Sequence, residues 1–159
     1  MKKLFALLLA ITMMATLSVT AFAADYDTTG DKGMNVTYSV NPGYTVTIPE
    51  TVTIGADGTE KTVSAADVVV EKGQYVSVTL AENNNFTVKT TEGAELTYTV
   101  TANGETVAPG GEILAVNPAD GKTGTANITF DIDETAIQYA GTYTGTLTFT
   151  IAVNPAENN

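Results

Sequence analysis

Two clusters of carboxylates are the first groups in this sequence that could do chemistry. Asp131, Asp133 and Glu134 stand together as DIDE at the exit of an apolar alternating run, with Asp131 and Asp133 on one strand face. Asp25, Asp27 and Asp31 form a D-x-D-x-x-G-D pattern near the start. Oxygen ligands of this kind suit calcium. A loop of the EF-hand type beginning at Asp25 would need a bidentate glutamate at its last ligand position, and Val36 stands there. Both clusters therefore read first as solvated loop carboxylates. Asp131, Asp133 and Glu134 are kept as calcium candidates, and no other cofactor is expected.

The residue types that are missing exclude more chemistry than those present suggest. The chain has no histidine and no cysteine, which removes Ser-His-Asp and Cys-His nucleophile systems, the usual zinc sites and thiol redox chemistry. Its seven basic residues are all lysine, so bidentate arginine clamping of phosphate is unavailable, and no Gly-rich phosphate loop occurs. A carboxylate pair for glycoside hydrolysis survives as the catalytic option, although no tryptophan is present to help form a sugar platform. The seven tyrosines could supply a face for stacking on sugars, with Tyr139 and Tyr143 the first pair to consider for contact with a glycan. The competing reading of Tyr143 is a corner tyrosine, whose hydroxyl fastens the start of a late sandwich strand. Sequons at Asn35, Asn85 and Asn127 fall at or inside alternating runs and read as products of threonine richness.

The elements that must position these residues begin after an export signal. Lys2 and Lys3 precede an apolar run from Leu4 to about Leu17, followed by Ala21-Phe22-Ala23, the order of a cleavable signal peptide. Cleavage between Ala23 and Ala24 is expected. The apolar run is short for a membrane span, and no second one follows. The expected product is secreted or extracellular, with no membrane span. Loss of Lys2 and Lys3 takes the formal charge from −11 to −13, a balance that repels nucleic acid and anionic membrane. Without cysteine, no disulfide framework and no lipid anchor at the cleavage site are expected.

The organisation predicted is a signal over 1–23, a flexible leader over 24–33, a β-sandwich domain over 34–153 and a polar tail over 154–159. Met34 to Val40, Tyr44 to Ile48 and Thr51 to Ile54 alternate with period 2. So do the later runs Lys61–Val63, Asp67–Val70, Gln74–Leu80, Phe86–Thr90, Leu96–Ala102, Glu112–Val116 and Thr125–Phe130. Asp57-Gly58, Lys72-Gly73, Glu92-Gly93 and Asn103-Gly104 punctuate them. One long final strand is predicted over Gly141–Val153, where Tyr143, Leu147, Phe149, Ile151 and Val153 share a face opposite five threonines. Gly145 interrupts the apolar face, which marks a bulge or a close crossing of the other sheet. About seven to ten short strands with Gly and Asn turns predict an all-β, immunoglobulin-like, Greek-key sandwich.

Ala140 to Ile151, AGTYTGTLTFTI, is similar to the final strand of exported immunoglobulin-like sandwiches, including pilin-like and spore-coat-like subunits. Tyr38 to Gly55, YSVNPGYTVTIPETVTIG, resembles the opening of small surface proteins of Gram-positive gut bacteria, relatives of the WxL surface proteins among them. The paired W-x-L motifs themselves are absent, and no LPxTG-type motif follows Val153. The resemblance implies a cell-surface protein held by non-covalent contacts. Its expected role is structural or adhesive, without catalysis, with self-association through strand edges. In a fibre, the leader with Met34–Val40 would insert into a neighbouring subunit. The alternative is a glycan-binding module, and the remote alternative is a carboxylate-pair glycosidase. The expected partners are accordingly a second copy, another surface protein or a polysaccharide.

Overall fold

Alternating threonine and valine give most of the chain one face to bury and one to leave wet, and that demand is met by stacking two antiparallel sheets. The computed structural model describes residues 36–55 and 57–156. Nine strands occur in it: β1 (Gly43–Thr47), β2 (Thr59–Val69), β3 (Gln74–Leu80), β4 (Thr87–Lys89), β5 (Glu95–Ala102), β6 (Glu105–Thr106), β7 (Glu112–Val116), β8 (Gly124–Ile132) and β9 (Phe149–Pro155). A single 3₁₀ turn over Glu134–Ala136 follows β8. Among the described residues, no helix is long and apolar enough to cross a membrane.

One sheet has the order β1-β2-β8-β5-β4, with β6 also paired to β5, and the other is β7-β3-β9. An immunoglobulin constant-type sandwich orders its strands A-B-E-D in one sheet and C-F-G in the other. β1, β2, β8 and β5 reproduce the first order, and β3 with β9 reproduce C and F. Among the described residues, no strand stands in the place of G beside β9. β7 extends the second sheet on the far side of β3, and β4 extends the first beyond β5.

The core is built at every second residue. Val63 and Ala65 of β2, Val76, Val78 and Leu80 of β3, Val100 of β5, and Ala126, Ile128 and Phe130 of β8 are buried. Each large aliphatic among them contributes about 1.5–3 kcal/mol on burial. Tyr98 packs between Phe86 and Phe130 with its ring tilted to both, the centroids 5.7 and 6.2 Å away. Burial raises its hydroxyl pKa above the ordinary value. Asn103 and Gly104, both with positive φ, form the two-residue turn between β5 and β6, the geometry that matches strand twist.

Five expected strands differ from those observed. Lys61–Val63 and Asp67–Val70 belong to one strand, β2, which bends at Asp67, where φ is 54° and the register with β1 shifts. Thr51–Ile54 alternates but joins no ladder; Val52 and Ile54 pack half-buried against the core without a hydrogen-bonded neighbour. Residues 36–40 of the expected Met34–Val40 strand are exposed and pair with no strand among the described residues, and Met34 and Asn35 lie outside those residues. The long final strand is divided. Thr144 makes a two-way bridge with Lys89 at the edge of the first sheet, whereas β9 pairs with β3 in the second. The chain changes sheets between them.

Candidate functional site

The change of sheets opens the molecule along one side. Thr144 and Lys89 exchange backbone hydrogen bonds at 2.9 Å in each direction, which ties the segment after β8 to the outer edge of β4. Gly145 follows immediately. A Cβ there would lie 2.6 Å from the carbonyl oxygen of Thr87 and 3.1 Å from Val88 Cγ1, so only glycine lets the chain pass this close to β4. Three residues later, Thr148 exchanges hydrogen bonds with the side chain of Asn84 and accepts another from the amide of Ala81, seating the chain beside β3. Gly145 is therefore the crossing point that the interrupted alternation indicated.

Upstream, the corner is fastened by tyrosine. The Tyr143 hydroxyl donates to the Tyr139 carbonyl at 2.8 Å, and Asp133 caps the 3₁₀ turn by accepting from the Thr135 amide at 2.9 Å and its hydroxyl at 2.6 Å. Those two bonds, the one from the hydroxyl foremost, hold the Asp133 carboxyl below the usual aspartate value. A tyrosine corner at the entry to strand F is a hallmark of immunoglobulin-like sandwiches, and β9 is the strand it leads into.

Between the segment 139–149 and the β1–β2 connection lies an apolar cleft of about 650 Å³. Leu96, Tyr98, Phe130 and Ile132 are among the residues that line it, with Val52 and Ile54 on one wall and Tyr139 and Tyr143 on the other. A smaller hollow of about 260 Å³ continues from it, sharing Val52, Phe130, Gly145 and Leu147, and reaches Ile128 and Phe149. No acidic side chain lines the larger cleft, and Glu50 alone lines the smaller.

The second sheet shows how unevenly this side is closed. Val76, Val78 and Leu80 of β3 lie opposite Val153, Ile151 and Phe149 of β9, so all six point to the same face. The three on β3 are buried to within 1% of complete, whereas Phe149 and Ile151 are half-buried and Val153 is 40% exposed. Residues that face the core but remain open to water mark β9 as an edge, beside which no strand stands among the described residues.

The sequence-derived sites fare differently. Tyr143 is engaged through its hydroxyl, while Tyr139 is 64% exposed at the rim of the cleft. Asp131, Asp133 and Glu134 are exposed, and Asp133 is occupied as a cap. Among the described residues, no three Asp or Glu gather as they would to hold a metal ion. The cleavage pair Ala23 and Ala24, the cluster Asp25, Asp27 and Asp31, and the leader lie outside the described residues. Self-association through strand edges was expected from the sequence; what sequence reasoning missed is that the long final run divides, so that the half-open edge belongs to β9 in the second sheet alone, and Gly145 was the available signal.

No protein-family model matches the chain, and no curated protein does. Among solved structures it is similar to a chain in the pre-assembly complex of the CsuC chaperone and CsuE tip adhesion subunit, from archaic chaperone-usher Csu pili of Acinetobacter baumannii. The identity is 18% and the TM-score 0.48, over 77% of this chain and 46% of that one. The chain thus spans under half the length of that protein.

Proposed function

We propose that this protein is an exported, non-enzymatic surface or matrix component, structural or adhesive, that associates with other molecules through the open side of its sandwich. The observation that carries the reading is the contrast between β3 and β9, whose core-facing residues are closed on one strand and half open on the other. An edge with free N–H and C=O groups above exposed apolar side chains is a template for pairing with another polypeptide. Supporting it are the absence of histidine and cysteine from the chain and the apolar lining of the larger cleft. Fractionation of the producing cells, with antibody labelling of intact cells, tests this reading. Label on the exterior or in the matrix is expected, and protein confined to the cytosol would overturn it.

A second reading, a glycan-binding module, rests on the exposed ring of Tyr139 at the cleft rim. Aromatic rings in that setting stack on sugars. Binding on a broad glycan array that is lost with Tyr139→Ala would establish it, and an array without signal would remove it.

A further inference from the structure

We propose that the segment Val36–Val40 of one copy is the missing strand beside β9 of another, so that copies join head to tail. The inference rests on the surface-association reading above and assigns it a partner, two edges and a register.

The donor is visible in the structure as an anomaly. Val36, Tyr38 and Val40 are 80, 69 and 56% exposed, three large apolar side chains at strand spacing left mostly open to water. Thr37 and Ser39 alternate with them. Such a strip has one face to bury and no ladder of its own, and its first strand neighbour, β1, begins only at Gly43.

The acceptor is complementary in pattern. Ala81 donates to the Thr148 carbonyl and Ala156 to that of Gly73, so Thr148, Thr150, Ala152, Asn154 and Ala156 turn their backbone groups toward β3. By the same alternation, Phe149, Ile151 and Val153 turn theirs to the free side. These residues also carry the half-open side chains. Pro155 has the same parity and no N–H, which ends the usable edge after Val153. On the donor, Pro42 has the parity of Val36, Tyr38 and Val40 and ends that strand in the same way. Each strip therefore runs up to a proline of its own parity, and residues 36–40 match Phe149–Val153 in alternation.

Every strand pair in this fold is antiparallel. An antiparallel donor places Val36 opposite Val153, Tyr38 opposite Ile151 and Val40 opposite Phe149, with about six backbone hydrogen bonds between them. Thr37 and Ser39 then lie on the outer face opposite Ala152 and Thr150. A parallel donor would instead bring Ser39 opposite Ala152. Because donor and acceptor are different segments of the chain, the contact is heterologous and joins copies into a closed ring or an open filament.

The absence of native cysteine makes a direct test available. The mature chain carrying Ser39→Cys is mixed with the mature chain carrying Thr150→Cys under mild oxidation. Both positions are exposed, and a non-hydrogen-bonded antiparallel pair brings Cα atoms to about 4.5 Å, within disulfide reach. The expected result is a disulfide heterodimer, exceeding the Ser39→Cys and Ala152→Cys combination at least about tenfold and reduced as much by Tyr38→Asp in the donor. Equal yields from both combinations, or a Ser39→Cys, Thr150→Cys double variant linking only within one chain, would overturn the proposal. If the protein is nonetheless found on the cell exterior while no heterodimer forms, the strand exchange fails and the surface reading stands.

Discussion

The hydroxyl of Tyr143 donates to the backbone carbonyl of Tyr139 at 2.8 Å, and this single bond fixes the corner from which the chain leaves one sheet and enters the other. Everything that makes the open side of the sandwich lies just beyond it: the Thr144–Lys89 bridge, the Gly145 crossing and the half-covered face of β9. Tyr143→Phe keeps the ring and removes the bond. A loss of about 0.5–1.5 kcal/mol is expected, read as a lower urea midpoint with unchanged slope. An unchanged midpoint would mean that the corner holds without its hydroxyl.

Gly145→Ala is expected to cost more, about 1–3 kcal/mol, because its Cβ would meet the Thr87 carbonyl at 2.6 Å and backbone must move. Gly73→Ala provides the contrast. There a Cβ meets nothing within 4 Å, but φ is +81°, so a penalty of roughly 1 kcal/mol comes from backbone conformation alone. Parallel denaturation of the two variants separates steric from conformational cost.

The two partner strands of the second sheet should respond unequally to truncation. Leu80→Ala removes a side chain 1% exposed and should cost about 2–5 kcal/mol. Ile151→Ala, on the half-open face of β9, should cost under about 2 kcal/mol in the dilute chain. Equal losses measured by chemical denaturation would mean that β9 is as well covered as β3.

Acid should loosen the segment after β8. The hydrogen bonds from Thr135 lower the Asp133 pKa below its ordinary value of 3.8, so the folded form holds its proton less tightly than the unfolded one. That contribution is present above pH 3.8 and is lost as pH falls through the depressed value. Glu92 has the same sign, lowered first by the Thr91 hydroxyl. In an NMR titration, the Thr135 amide is expected to shift with a midpoint below 3.8, and Asp133→Asn should abolish that transition. A midpoint at or above the ordinary value would contradict the cap.

Much of the sandwich was legible from alternation. Gln74–Leu80 and Glu112–Val116 are strands with the predicted bounds, and the aliphatic faces of β2, β5 and β8 are those that the period-2 pattern marks. Gly145 was legible as an interruption, and Tyr143 as a corner residue. The errors share one cause. Val36–Val40, Thr51–Ile54 and Gly141–Thr148 alternate as well as any true strand, yet none belongs to a ladder strand here. Alternation records which face meets apolar surroundings, and a strand also needs a neighbour for its backbone groups.

The amino-acid sequence by itself determined the all-β class, the faces of most strands, the turn positions and the exclusion of histidine, cysteine and arginine chemistry. Only the tertiary structure decided that the last long run divides between two sheets, that among the described residues no strand lies on the outer side of β9, and that Val36, Tyr38 and Val40 are exposed. The reason is physical. Side-chain pattern is local and survives in any register, whereas the partner of a backbone hydrogen bond is chosen by topology across more than sixty residues, as from Ser77 to Ala152.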